Sequence, residues 1–345
     1  MQAPRSGVTS VAWNAQDTAL FLTGSFDKRA CVWDTNELVM VHAFRFDSEV
    51  RTVKMSPVAS QTLVAVGSGE REVSLCDLRL GEVAQVLSGH TSSISSLAWS
   101  PGHEYALVSG SDDGSLRLWD LRKSNSMITF DYVKTVGNSK KRGRQHGIGM
   151  AAASSSSNEW SASVASKRHN PNATTRPETA HQGCVTDVTF LPDGTQLLST
   201  GADHMMRLWD VETGLNQTVH YPDIRNHPIH KAKICVSNNG SIVYHPRNNE
   251  IIALEVQTGK KIHTLNGHYS HVTALAFHHA TPELYSASSD GQMLIWTPWF
   301  DEARYMEERG PVPNAVLQAR RAASATDQDN DIHDIADWDS DQDLF

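Results

Sequence analysis

Seventeen histidines, four cysteines and 39 Asp or Glu residues give this chain every side-chain type that acid–base, nucleophilic or metal chemistry needs. Their spacing does not assemble them. Cys31, Cys76, Cys184 and Cys235 form no CxxC pair, and neither His268 with His271 nor His278 with His279 has a Cys or Glu at a spacing that completes a ligand set. No nucleophile–base pair or phosphate loop stands out, so no enzyme, no metal and no cofactor are expected. What recurs instead is an Asp six residues before a Trp: Asp27 and Trp33, Asp113 and Trp119, Asp203 and Trp209, Asp290 and Trp296. Before three of these Trp residues, by 28 or 29 positions, stands a His: His90, His181 and His268.

The elements that carry these residues follow from the segments around them. GSFDKRACVWD at 24–34, GSDDGSLRLWD at 110–120, GADHMMRLWD at 201–210 and SSDGQMLIW at 288–296 superpose on one another. Upstream of each comes an apolar triplet: Val8, Val11, Trp13; Ile94, Leu97, Trp99; Val185, Val188, Phe190; Val272, Leu275, Phe277. In each triplet the second and third members share one strand face. This combination resembles the WD repeat. Two weaker copies fill the gaps, Val50, Val53 and Met55 with Glu70 and Cys76, then Ile234 and Val236 with Leu254 where the Trp would fall.

The resemblance implies an all-β chain, a WD-repeat β-propeller with six recognisable blades of four short strands each. In that family pattern the His, a strand Ser or Thr, the turn Asp and the Trp form a buried relay within each blade. Asp27, Trp33, His90, Asp113, Trp119, His181, Asp203, Trp209, His268, Asp290 and Trp296 are therefore assigned to holding the fold, not to catalysis.

The repeats are placed at about 6–38, 48–83, 90–136, 181–215, 228–260 and 268–300 within a propeller spanning 1–300. The interval between Trp119 and Trp209 is double the others, and residues 137–180 lack any alternating apolar run, so they are expected to be a disordered insertion leaving the outer edge of the third blade. The first repeat begins almost at Met1, which points to a seven-bladed parent that has lost an N-terminal portion, because an open propeller edge leaves backbone groups unpaired. A closed six-bladed ring is the alternative, and hydrogen bonds between the strand near Val8 and residues Trp296 to Trp299 would mark it.

The net charge of −9 is local: residues 327–345 hold eight Asp and no Lys or Arg, which leaves about −1 for the rest. A nearly neutral body argues against direct nucleic-acid binding. No run of eighteen apolar residues could span a bilayer, and MQAPRSG has no apolar stretch behind it, so no membrane partner and an intracellular setting are expected.

The text between the repeat signatures is more specific than the signatures. GSFDKRACVWDTNEL at 24–38, MSPVASQTLVAVGSGEREVSLCDLRLGEV at 55–83, LSGHTSSISSLAWSP at 87–101, LNGHYSHV at 265–272 and ELYSASSDGQMLIWTP at 283–298 resemble the Cockayne syndrome group A family. So does the acidic end, DIADWDSDQD at 334–343. The likeness implies a nuclear, non-catalytic substrate receptor of a cullin-RING ubiquitin ligase acting in transcription-coupled nucleotide excision repair. It docks on the damaged-DNA-binding adaptor subunit, with repair or transcription proteins as its substrates.

In such receptors the adaptor-docking signature is W-D-x-R at the end of a third strand. This chain has Trp119, Asp120 and Arg122 in one blade, and Asp77 and Arg79, behind Cys76, in the blade before it. An Arg there would present its planar fork to a partner's carboxylate or carbonyls. The family also carries an N-terminal helical segment and a first blade that have no counterpart here, so a chain complete as given would dock more weakly.

Two further features lie outside the repeats. Lys140, Lys141, Arg142 and Arg144 suit a nuclear-import signal or a loose nucleic-acid contact, and equally a solvated loop. Trp338 in the acidic tail, residues 301–345, suits a short partner-binding motif, and equally a solubilising tail with one incidental aromatic. A WD-repeat scaffold of another nuclear complex, in chromatin or RNA processing, fits the bare repeats as well.

Overall fold

The computed structural model describes residues 6–14, 19–57, 62–123, 126–131, 179–226, 233–278 and 281–297. The basic cluster Lys140, Lys141, Arg142 and Arg144, and the acidic tail with Trp338, lie outside the described residues. All regular structure among the described residues is strand, in six antiparallel sheets that form the blades of a β-propeller.

Blade one holds β1 (Val8–Trp13), β2 (Leu20–Ser25), β3 (Arg29–Asp34) and β4 (Met40–Arg45). Blade two holds β5 (Val50–Met55), β6 (Leu63–Ser68), β7 (Val73–Asp77) and β8 (Glu82–Leu87), and blade three β9 (Ile94–Trp99), β10 (Ala106–Ser111), β11 (Leu116–Asp120) and β12 (Ser126–Phe130). Blade four pairs β13 (Val185–Phe190), β14 (Gln196–Gly201) and β15 (Met206–Asp210). Blade five has β16 (Cys235–Val236), β17 (Ile242–Arg247), β18 (Glu250–Glu255) and β19 (Lys261–Asn266), and blade six β20 (Val272–Phe277), β21 (Leu284–Ser288) and β22 (Met293–Trp296).

The apolar triplets sit on the first, inner strands and face the preceding blade. Val185, Val188 and Phe190 thus bury themselves with Trp209 against Ala98, Val108, Leu118 and Phe130 of blade three. Glycines in the second strands make room for this packing. A Cβ on Gly110 would stand 2.6 Å from Val185 Cγ1, and one on Gly67 2.7 Å from Ile94 Cγ2.

The expected insertion ends earlier than its predicted boundary. Ala180 is fully buried in the core between blades three and four, and its N–H donates to the Gly114 carbonyl. An alanine lacks the apolar bulk that a periodicity reading needs to see.

Blades one and six are not joined by any strand pair among the described residues, which include Trp296 and Thr297 of the expected closing stretch but not residues 298 and 299. The face of β1 that should pack on a preceding blade is open: Val8, Val11 and Trp13 are 50%, 55% and 60% exposed, whereas Val185 and Val188 at the same register are 0% and 3%. Trp13, Phe21 and Trp33 form an aromatic row across that face, with centroids 5.6 and 6.1 Å apart.

Candidate functional site

The Asp–Trp repeat places each Trp on a third strand and each turn Asp between the second and third strands. In blade three the Trp119 indole N–H donates to Ser109 Oγ at 2.8 Å, and that hydroxyl lies 2.6 Å from His90 Nε2. His90 Nδ1 is 2.8 Å from Ser115 Oγ, which in turn donates to Asp113 at 2.6 Å. Burial depresses the His90 pKa, with Asp113 opposing; for Asp113 burial works against ionisation, and His90, Ser115 and Thr91 outweigh it and hold the carboxyl well below its usual range.

Blade four shortens the chain of bonds. Trp209 donates to Ser199 Oγ (2.8 Å), His181 Nε2 meets the same hydroxyl (2.8 Å), and His181 Nδ1 reaches Asp203 directly at 2.9 Å. Asp203 is also paired with the buried Arg207 at 2.8 Å.

The other blades keep parts of this relay. In blade six Trp296 and His268 share the Ser286 hydroxyl at 2.7 and 2.6 Å, but Asp290 turns to the N–H of Gln292 and His268 Nδ1 has no hydrogen-bond partner among the described residues. Blade one has Trp33 donating to Thr23 Oγ1 at 2.9 Å, with no histidine between Thr23 and Asp27. These polar groups are spent on one another inside the blades. They offer no converging, solvent-open set for catalysis.

The residues that face solvent in the repeat are those after the third strand. Asp77 ends β7 and Asp120 ends β11, and each carboxylate accepts the backbone N–H two residues on, Arg79 at 2.8 Å and Arg122 at 3.1 Å. Asp34 and Asp210 close the same turn in blades one and four with Asn36 and Glu212. The Asp is therefore a turn-former in four blades, and only the Arg sets blades two and three apart.

Arg122 does not hold its fork free for a partner, as the sequence implied. Its Nε and Nη2 both donate to Asp120 at 2.9 Å, because the tight turn folds the side chain back on the carboxylate that caps it. The Asp120 bond comes first in raising the Arg122 pKa, and the same bond comes first in lowering that of Asp120. The guanidinium also lies 5.1 Å from the Tyr105 ring centroid, yet its side chain keeps 64% of its surface in solvent. Trp119 is fully buried and cannot touch a partner. Arg79 is exposed, and its Asp77 is held by the Arg79 N–H first and by the Thr62 hydroxyl at 2.8 Å, which keep the carboxyl below its usual range.

Several residues at this rim escape a motif reading. Thr62 and Tyr105 occupy the same place, each offering its carbonyl at 3.0 Å to the residue after the Asp, Leu78 or Leu121. Strand register, not a signature, would find them. Leu38 and Leu80, 74% and 71% exposed, extend the same turn in blades one and two, and His42 Nε2 lies 3.1 Å from the Gly81 carbonyl between them.

The WD domain, G-beta repeat family matches residues 1–34, 81–120, 174–210 and 259–297, the stretches that end on the four Trp-bearing strands. The chain is similar to the WD repeat-containing protein ATCSA-1 of Arabidopsis thaliana, 32% identical over 84% of this chain and 72% of that protein. It is also similar to Radiation-sensitive protein 28 of Saccharomyces cerevisiae, 26% identical over 59% of this chain and 38% of that one. A shorter likeness, 32% over 34% of this chain and 26% of its relative, is to the ribosome biogenesis protein YTM1 of Coccidioides immitis. With six propeller blades, a shared repeat and a relative that matches along most of both chains, the chain belongs to the WD-repeat family.

Proposed function

We propose that this chain is a non-catalytic substrate receptor of a cullin-RING ubiquitin ligase, acting in the nucleus in transcription-coupled nucleotide excision repair. The observation that carries the reading is the pair of Arg residues at one register in adjacent blades, Arg79 and Arg122, each set by an Asp-capped turn on the solvent side of its third strand. They are the proposed contacts to the damaged-DNA-binding adaptor, with Asp77, Trp119 and Asp120 holding them in place. Arg122 reaches a partner either with the rest of its guanidinium or by exchanging Asp120 for the partner's carboxylate. The similarity to ATCSA-1 and to a protein named for radiation sensitivity supports the same reading.

A scaffold in ribosome biogenesis is the second reading, favoured by the likeness to YTM1, which covers about a third of the chain. Affinity purification from nuclear extract separates the two. The test compares the native chain with an Arg79→Glu and Arg122→Glu double variant that leaves Asp77 and Asp120 to form their turns. Adaptor and cullin retained by the native chain and lost by the variant is the expected result. Adaptor retained equally by both removes the two Arg residues from the proposal, and pre-ribosomal proteins in place of the adaptor sinks the ligase reading.

A further inference from the structure

Inner-strand register can be followed from blade to blade because β1, β5, β9, β13 and β20 share the same irregularity after their first residue. At one level the inner strands present Ser10, Thr52, Ser96, Asp187, Lys233 and Ala274. Two residues on they present Ala12, Lys54, Ala98, Thr189, Cys235 and Ala276. At the first level the charges satisfy one another: Asp187 accepts the Ser96 hydroxyl at 2.6 Å, the Ile234 N–H at 2.8 Å and the Lys233 amine at 3.3 Å. The charge at the second level has no such partner.

Lys54 is the only charged residue of that second level, and the five other blades place Ala, Thr or Cys around it. Among the described residues no carboxylate pairs with its amine, and the nearby Asp187 is already committed. The side chain is open to solvent. Even so, surrounding protein strips enough water from it to depress its pKa, with Asp187 opposing and Lys233 adding to the effect. Both conditions hold together at an inner-strand position that looks across to Asp187, Lys233 and Cys235 of blades four and five, where low-dielectric surroundings concentrate the field of a cation. Cys235 adds no negative charge, since burial pushes its thiol up to about 11.

We propose that the central channel at the level of Lys54 is an oxyanion site, in which the Lys54 amine pairs with a carboxylate or phosphate group. Lys233 and Asp187, paired with each other, largely cancel at this distance, so the Lys54 amine alone supplies the attraction and the small neighbours leave the ligand room. Lys54 is next to last in β5, so the site lies toward the propeller end where the third strands also finish at Asp77 and Asp120. An acidic group entering from that end meets Lys54 before the Asp187–Lys233 pair behind it. The inference does not depend on the ligase reading.

The test is acylation of lysines in the full chain by an amine-specific reagent, with Lys54 read against the exposed rim residue Lys123 by peptide mapping. Three conditions are compared: about 1 M sodium chloride, which screens and releases weakly held anions, low-salt buffer, and low-salt buffer with inorganic phosphate. Phosphate is expected to slow Lys54 at least about fivefold relative to the high-salt rate, the protection given when the anion stands near four times its Kd, with Lys123 unchanged. Protection already present without phosphate assigns the chain's own carboxylates as the source, the eight Asp of residues 327–345 being the richest supply. Protection that appears only with phosphate assigns a free oxyanion. A Lys54 rate equal within twofold in all three conditions overturns the site. As a second readout, phosphate is expected to raise the melting temperature of the native chain over chloride of equal ionic strength and not that of Lys54→Met. If Lys54→Met does not fold, the acylation rates decide alone.

Discussion

Asp187 of blade four accepts the hydroxyl of Ser96 in blade three at 2.6 Å, and the same carboxylate takes the Ile234 N–H and the Lys233 amine of blade five. One buried side chain thus ties three blades together near the channel. Replacing it with Ala removes at once the acceptor of a buried hydroxyl, a buried N–H and a part-exposed ammonium, although Ser96 Oγ keeps the Val188 N–H. Unpaired buried donors cost about 1–3 kcal/mol each, so Asp187→Ala is expected to lose roughly 3 kcal/mol after water relieves part of the loss. Urea unfolding checks this, and a loss below about 1 kcal/mol would show that the tie is replaced by solvent.

Ser199 and Ser286 stand at one register but in different company. Ser199 satisfies a fully buried Trp209 and a His181 that is itself anchored on Asp203, whereas Ser286 serves a half-buried Trp296 and a His268 whose Nδ1 is already without a partner. Ser199→Ala is expected to cost about 2–3 kcal/mol and Ser286→Ala about 1 kcal/mol. Equal losses for the two would show that the Asp at the end of the relay adds nothing.

Most of the propeller is legible in the sequence because a Trp, a turn Asp and an inner-strand triplet each answer to a packing need that recurs blade by blade. Trp209 and Phe190 are core residues for the reason their types and spacing announce. Blade five hides for the opposite reason: His245 occupies the register of Ser109, Ser199 and Ser286, and Leu254 that of the Trp. Its polar position has moved from the loop to the strand, where no motif looks for it. The Arg122–Asp120 fork and the isolation of Lys54 were equally out of reach, since the first depends on how a turn curls and the second on what five other blades place opposite. The open face of blade one was foreseeable only as a closure problem, not as the exposed aromatic row that Trp13, Phe21 and Trp33 make.

His245 makes stability depend on acid. Both ring nitrogens are buried and make no hydrogen bond of good geometry among the described residues, and burial pushes the pKa down to about 4, a weak hydrogen bond to an Arg225 backbone group opposing. Between that value and the ordinary 6.5 the unfolded chain binds a proton that the folded chain refuses, so stability rises with pH through this window. The contribution is complete above about pH 6.5 and is lost as pH falls toward 4, on the order of 3 kcal/mol in all. Burial moves His90, His181 and His268 the same way. His245→Leu is expected to flatten the fall in urea midpoint between about pH 7 and pH 4.5, and an unchanged slope would assign the acid sensitivity to the other three.

Cys76 holds the Trp position of blade two, fully buried and opposite Val64 of β6, and two residues along β6, at the register where other blades place Thr or Ser, stands Val66. Restoring the indole alone would therefore force a large ring into a filled core and leave its N–H without an acceptor. Overpacking costs about 1–3 kcal/mol and an unpaired buried donor a similar amount, so Cys76→Trp is expected to destabilise by roughly 3 kcal/mol or more. Adding Val66→Ser supplies the acceptor and should recover about 1 kcal/mol of that loss, which a double-mutant cycle in urea would measure. A coupling of zero would mean that the indole does not reach the position its register assigns. The native thiol gives an independent check on the same packing, because burial pushes its pKa up to about 12 and thiol reagents should label it only after unfolding.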